Sequence, residues 1–289
     1  TGPIIICIGL SLAGSAISNA STNWLLAFIA LATIIVFNIW GKGMFKIIPI
    51  LMGVVVSYAA ALIFNALGMT NADGSAILDF TNIASAAWVG IPKFSICKFN
   101  ISAILVMAPI ALASMMEHIG DMSAISATVG ENFIEDPGLH RTMLGDGLAC
   151  IVAGLIGGPP VTTYSEVTGA ISLTKITDPA VIRIAAVSGI IFSVFGKVSA
   201  LLKSIPAAVL GGIMLLLFGT IAAVGINSLI QNRTNLGDTR NLIIVSLILT
   251  FGIGGAAIEF GGFTMAGIGL SALLGVFLNL VLPKSKTLP

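Results

Sequence analysis

The sequence predicts an all-α protein that spans a membrane many times, and three observations predict it. Hydrophobic residues make up 57% of the chain and charged residues 9%, with a mean hydropathy of +1.09. A soluble domain of this length needs far more polar surface, whereas a bundle of membrane helices does not. Apolar runs of helix length follow one another, separated by short polar turns. And one run is interrupted from within, over Gly157–Lys175, GGPPVTTYSEVTGAISLTK.

The apolar runs place ten crossings. The first two cover about Pro3–Ala20 and Trp24–Trp40, followed by the turn GKGMFK with Lys42 and Lys46. The third covers Ile47–Leu67, with Pro49 in its first turn, where a missing N–H costs little. Residues Gly68–Asn100 form the longest polar connection, expected as an exposed loop with interfacial pieces around Trp88. The fourth run extends from Ile101 to about Gly130, and the polar turn ENFIEDPGLHR over Glu131–Arg141 follows it. The fifth covers Thr142–Ile156, and the interrupted sixth comes next.

In that sixth element two glycines and Pro159-Pro160 end any incoming helix. Val161–Tyr164 is β-branched and aromatic and is expected as a short strand. Ser165 and Thr168 are candidate caps for a half-helix running from Glu166 toward Thr174. Runs seven to ten cover Ala180–Leu202, Ala207–Leu229, Asn241–Ala257 and Ala266–Leu282. Gly211, Gly212 and Gly219 are expected to admit close helix contact in the eighth.

Alternation of the loops gives an orientation. With Thr1 cytoplasmic, Lys42, Lys46, Arg141, Lys175, Arg183, Arg233, Arg240, Lys284 and Lys286 fall inside. Lys93, Lys98, Lys197 and Lys203 fall outside, an excess in the direction the positive-inside rule requires. The chain opens on Thr1 and enters an apolar run at once, so an N-terminally truncated segment with further spans upstream is expected. A net charge of +1 carries no signature of nucleic-acid binding. Cys7, Cys97 and Cys150 lack metal or redox spacing and read as small apolar fillers.

Chemistry is carried by acids placed in apolar runs. Glu117 and Asp121, at i and i+4, share a face of the fourth run; Asp146 lies in the fifth and Glu166 at the break. Each ionisable group in a span costs about 2.5–3.5 kcal/mol on insertion scales, so four of them must face a cavity or a partner. A structural cluster that pins helices together is the plainer alternative. Carboxylates that accept N–H groups, beside half-helix amides that donate, suit a small neutral ring with alternating donors and acceptors, such as a nucleobase. The same acids suit proton binding and release. An inorganic anion would call for Arg or Lys at the site. Tyr164 either stacks on such a ring or packs at the helix break. His118 adjoins Glu117 but points about 100° away, which favours a hydrogen-bonding support role. Neither a catalytic constellation nor a metal motif is present, so an enzyme is not expected.

Three stretches carry a resemblance: EHIGD at Glu117–Asp121, EDPGLHRTMLGDGLA at Glu135–Ala149, and PPVTTYSEVTGAISLTK at Pro159–Lys175. With IIPILMGVVVSYA ahead of the long loop, the chain resembles the nucleobase–ascorbate transporter family, and within it the bacterial uracil permeases. The resemblance implies an inverted-repeat transporter of seven plus seven spans. It implies gate-domain spans in 1–67 and 204–289, an extracytoplasmic loop in 68–100, and core-domain spans with the substrate site in 101–203. It also implies import of a base with protons, no other cofactor, a homodimer, and a multi-pass location in the bacterial inner membrane. By that resemblance Glu117, Glu166, Tyr164 and Ser165 bind the base, while Asp121, Asp146 and His118 support the site and the proton step. Glu166 favours uracil, because purine carriers tend toward Gln there. Asp121, shared with purine carriers, keeps a xanthine or uric acid permease as the alternative. An anion exchanger of the same fold is disfavoured by the acids.

Overall fold

The computed structural model describes residues 2–90, 94–164, 167–168, 171, 175–231, 233–260 and 263–283. It is built of helices with one β-hairpin. The order is α1 (Gly2–Ala20), α2 (Trp24–Trp40), α3 (Met44–Ile47), α4 (Pro49–Ala66), α5 (Thr81–Ser85), α6 (Ile101–Val129) and α7 (Leu139–Leu155). Then follow α8 (Pro179–Val194), α9 (Gly196–Lys203), α10 (Ala207–Gln231), α11 (Thr239–Ile253), β1 (Ala257–Phe260), β2 (Phe263–Ala266) and α12 (Gly267–Val281). Among the described residues, α1, α4 and α10 are each long and apolar enough to cross a membrane alone.

Helix ends follow local chemistry. Asn23, Asp178 and Asp238 sit just before α2, α8 and α11, and their side chains accept the amides of Leu26, Ala180 and Arg240. Each thereby satisfies one of the orphan donors of a first turn. Pro49 and Pro179 occupy first-turn positions, where no amide is needed.

Packing centres on α1, α2, α4, α10, α11 and α12. Leu26, Ala30 and Ile34 of α2 meet Ala61 of α4 and Ala208, Val209 and Ile213 of α10 in one buried cluster. The backbones approach closely because the contact residues are small: a Cβ on Gly211 would meet the backbone of Ala20, and one on Gly212 the carbonyl of Ala27. Gly219 differs from expectation, with open space where its Cβ would stand. It lies on a face of α10 that meets no neighbour there.

Five further features depart from the sequence reading. The connection 68–100 is not wholly exposed: Ile77 and Leu78 are buried in the α2–α4–α10 cluster. Their apolar side chains find room where the loop crosses that cluster, while Trp88 stays exposed. The fifth helix starts three residues early, at Leu139, so His140 and Arg141 lie in its first turn. The positive-φ Gly138, not Arg141, ends the preceding turn.

The seventh run is not one straight helix but two, α8 and α9, bent by 91°. Phe195 between them is extended, at φ −83° and ψ 101°. Tertiary contacts hold the second piece: Lys197 Nζ donates to the carbonyls of Ile83 (2.6 Å) and Ala84 (3.0 Å) and lies 5.8 Å from the Trp88 ring centroid.

The strand expected at Val161–Tyr164 is absent, and the segment has no regular structure. A strand needs a ladder partner, and among the described residues none lies beside it; Cys150 Sγ donates instead to the Val161 carbonyl. The hairpin lies elsewhere, with Ala257 opposite Ala266 and Phe260 opposite Phe263. Two short β-branched and aromatic runs flanking Gly261-Gly262 are its signal in the sequence, masked there by the apolar runs on both sides.

Candidate functional site

The site is built on α6, α7 and the irregular chain after α7. α6 carries Glu117, His118 and Asp121 on one unbroken helix, so Glu117 and Asp121 stand one turn apart on one face. Glu117 and Asp121 are half-buried, and the Oδ2 atom of Asp121 is fully buried. α7 carries Thr142 and Asp146, also at i and i+4 and therefore on one face.

His118 joins the two helices. It is 3% exposed. Its Nδ1 lies 2.8 Å from Asp146 Oδ2, and its Nε2 lies 2.9 Å from Thr142 Oγ1. The Nδ1–carboxylate contact is close but bent away from the ideal N–H direction, so it is an electrostatic pair more than a linear hydrogen bond. The Asp146 side chain is 37% exposed, which leaves one edge of the pair open. Thr142 Oγ1 also donates to the Leu139 carbonyl at 3.1 Å.

After α7 the chain turns at Gly157, whose φ is +83°. Gly158 N–H donates to the Ala153 carbonyl at 2.7 Å, closing the helix end. Irregular backbone then runs to Tyr164, whose carbonyl accepts the Val167 amide at 3.1 Å. Val167, Thr168 and Ile171 are helical, in keeping with a half-helix at this place. Tyr164 is exposed. Thr163 Oγ1 is buried and makes no hydrogen bond among the described residues. The expected ligands Ser165 and Glu166 lie outside the described residues.

The structure thus brings His118 and Asp146 together, as two of the three support residues named from the sequence. Sequence reasoning missed Thr142, although its place four residues before an intramembrane Asp put it on that Asp's face. It also missed Thr163, which it treated as a strand former. Among the described residues no cluster of three or more His, Cys, Asp or Glu is arranged to hold a metal ion.

A cavity of about 690 Å³ lies between this region and the rest. Met115 and Ile119 of α6 and Met143 of α7 line one wall, and Pro3, Leu229, Arg240 and Asn279 are among those lining the other. None of the described acids lines it. Arg240 is held there by the Asn279 carbonyl and amide oxygen, both at 2.8 Å.

Long apolar helices, a break with irregular backbone, and ionisable groups tied together on neighbouring helices define a membrane-embedded transporter. The Permease family (Xan_ur_permease) matches residues 1–260, and the chain belongs to that family; it is a transporter and not an enzyme. It is 43% identical over 297 residues to the Probable uracil permease of Pasteurella multocida, covering 100% of this chain and 69% of that protein. It is 42% identical to the Probable uracil permease of Haemophilus influenzae, over 99% of this chain and 68% of the relative. The Uracil permease of Bacillus caldolyticus is 41% identical over 98% of this chain and 66% of its own length. The chain therefore spans about two thirds of these relatives.

Proposed function

We propose that this chain imports uracil together with protons across the bacterial inner membrane, by alternating access. The observation that carries the reading is the close likeness, over nearly the whole chain, to proteins named uracil permeases. The acids of α6 and α7 support it. In this reading Glu117 and Glu166 accept the N–H groups of the base. Amides at the start of the half-helix, around Tyr164, Ser165 and Glu166, donate to its carbonyls. The Tyr164 ring stacks on it, and Asp121, Asp146 and His118 serve the proton step. Carboxylates suit this task because they reject anions and accept the imide N–H.

Residues 1–67 and 204–289 would form the gate and 101–203 the core, with 68–100 as the loop between them. In support, α1, α2, α4, α10, α11 and α12 pack mainly on one another, and the cavity separates them from α6 and α7. Ten crossings here, a complete fold of fourteen spans in two inverted repeats, and a homodimer belong to the same proposal.

The test is uptake of radiolabelled uracil by the full-length protein in proteoliposomes with an inward proton gradient. Glu117→Ala and Glu166→Ala should each lower uptake by tenfold or more, since each removes a hydrogen bond to a charged group worth about 1.5–3 kcal/mol. Undiminished uptake in both would refute the assigned roles. Competition by unlabelled xanthine stronger than by unlabelled uracil would move the substrate to the purines.

A further inference from the structure

We propose that α5 and α9 form one rigid connector between core and gate, fused by Lys197 as its positioning residue, and that this connector swings on the gate at two short joints, 79–80 and Ser204. The inference goes beyond the transport reading but rests on its division into core and gate.

Within this chain the backbone passes between gate and core twice, out through the loop 68–100 and back just after α9. Lys197 and Ile83, one on each passage, are 114 residues apart in sequence, yet the structure clasps them together. Lys197 Nζ donates to the Ile83 and Ala84 carbonyls at 2.6 and 3.0 Å and lies 5.8 Å from the Trp88 ring centroid. Gly90 N–H donates to the Val194 carbonyl at 2.9 Å. A Cβ on Gly196 would run into the Ala87 carbonyl, so glycine is what lets the two backbones come so close. α5 has five residues and is largely exposed, too short to persist by itself. Its last carbonyls lie past its intrahelical bonds and at the negative end of the helix. The Lys197 ammonium satisfies two of them, so α5 depends on α9 for its shape.

The joints follow from where each passage is anchored. Ile77 and Leu78 are buried in the α2–α4–α10 cluster of the gate, and Ile205 packs against the same cluster. Only Asp79 and Phe80 separate the first anchor from α5, and only Ser204 separates α9 from the second. Tyr58 of α4 holds Ser204 Oγ at 2.7 Å, which fixes that pivot to the gate. A cavity of about 560 Å³ lies beside both joints, with Ala76 and Ile77 on the gate side and Asn82, Ser199 and Lys203 on the connector. A close-packed contact would resist tilting, and this space gives the connector room to tilt. Beyond Gly90 the same loop reaches the helix break: Ser95 N–H donates to the Ile156 carbonyl at 3.2 Å, and a Cβ on Gly157 would meet Ser95. One loop therefore grips both ends of the stretch 157–195, which holds the proposed base-binding residues Tyr164, Ser165 and Glu166. A swing of the connector carries that stretch with it.

Two measurements on the full-length protein decide it. The first is hydrogen exchange in detergent. Lys197→Met keeps the stem and removes the donors, so exchange over 81–90 should quicken by about tenfold or more, because the lost bonds come from a charged group. Exchange in α10 should not change, and Lys197→Arg should recover most of the protection. Unchanged exchange over 81–90 in Lys197→Met overturns the fusion, whether or not the protein moves uracil. The second is uracil uptake into proteoliposomes, read beside equilibrium uracil binding. Lys197→Met should lower the maximal uptake rate by about fivefold or more and leave affinity within about twofold, because the connector moves the site without touching the ligand. A merely structural Lys197 would lower Tm and leave the rate per folded molecule unchanged, which overturns the proposal. Bridging Ala76→Cys to Ser199→Cys with a short bis-thiosulfonate should stop uptake and spare binding, with recovery on reduction and no response in either single variant. Bridging Gly90→Cys, where a Cβ meets open space, to Val194→Cys lies within the connector and should leave uptake intact. Uptake that survives the first bridge, or stops with the second, overturns the joints. If the wild type moves no uracil, the transport reading falls, and the exchange result still judges the fusion.

Discussion

Two regions of this molecule are built on opposite packing rules. In α1, α2, α4, α10, α11 and α12 the contacts are dry and close: Leu26, Ile34, Val209, Cys7, Ser57 and Ser271 are fully buried. Across 101–203 the buried side chains among the described residues are His118 and Ala200, and Ile151 and Ile190 stand 59% and 68% exposed. Water would not tolerate the second pattern, but hydrocarbon is as apolar as these side chains, so their exposure to it costs little. The region with tight small-residue contacts is a frame. The region with the ionisable groups touches that frame through few elements, chiefly α6 against α12. If 101–203 is the moving part, as proposed above, few close contacts with its surroundings are what it needs.

Gly212→Leu is the harshest way to break the comparison, because its Cβ would run into the Ala27 backbone. Overpacking costs about 1–3 kcal/mol and occasionally more, and with backbone in the way the upper end and a large fall in Tm in detergent are expected. Gly189→Ala in α8, where a Cβ meets open space, should leave Tm unchanged or raise it. Equal losses at both positions would erase the distinction between the regions.

A middle-sized effect is expected at His118, the one buried polar side chain among the described residues of the looser region. His118→Ala should cost about 1–2 kcal/mol, less than the 3–5 of a fully buried pair, because Asp146 is partly open. Chemical denaturation in detergent measures it.

Tyr58→Phe tests the tie between the regions. Its hydroxyl meets Ser204 Oγ at 2.7 Å, linking α4 to the chain just past α9. A loss of about 1 kcal/mol is expected; no change would mean that this link holds nothing.

The smallest effect lies in the connecting loop. The Ser75 hydroxyl and amide hold the Asp73 carboxyl below its ordinary 3.8, and those of Thr81 do the same for Asp79. A lowered value means that the ionised carboxylates steady these turns above 3.8 and lose that hold as pH falls through the lowered values. Hydrogen exchange over 68–90, corrected for its intrinsic pH dependence, should quicken below that point, while exchange in α10 does not. Asp79→Asn should quicken exchange near Thr81 already at neutral pH.

Much of this was legible before any coordinates. α2 begins and ends where its apolar run does, at Trp24 and Trp40, because Asn23 caps one end and Gly41 interrupts the other. The helix break at Gly157–Pro160 and the shared face of Glu117 and Asp121 follow from spacing and backbone chemistry alone. The bend at Phe195 was not legible, since FSVFGKVSA reads as continuous helix until Lys197 finds the carbonyls of α5. Nor was the missing strand at Val161–Tyr164, since a strand's existence depends on a partner distant in sequence.

By itself the sequence determined that this chain belongs in a membrane, where its helices lie, and that its acids sit in apolar runs. These follow from composition and from periodicities within a single segment. Only the tertiary structure decided that His118 reaches Asp146 and Thr142, that α10 lies against α1 and α2, and that Ile77 and Leu78 are buried. Those depend on which faces of separate helices meet, and no local rule of spacing contains that information.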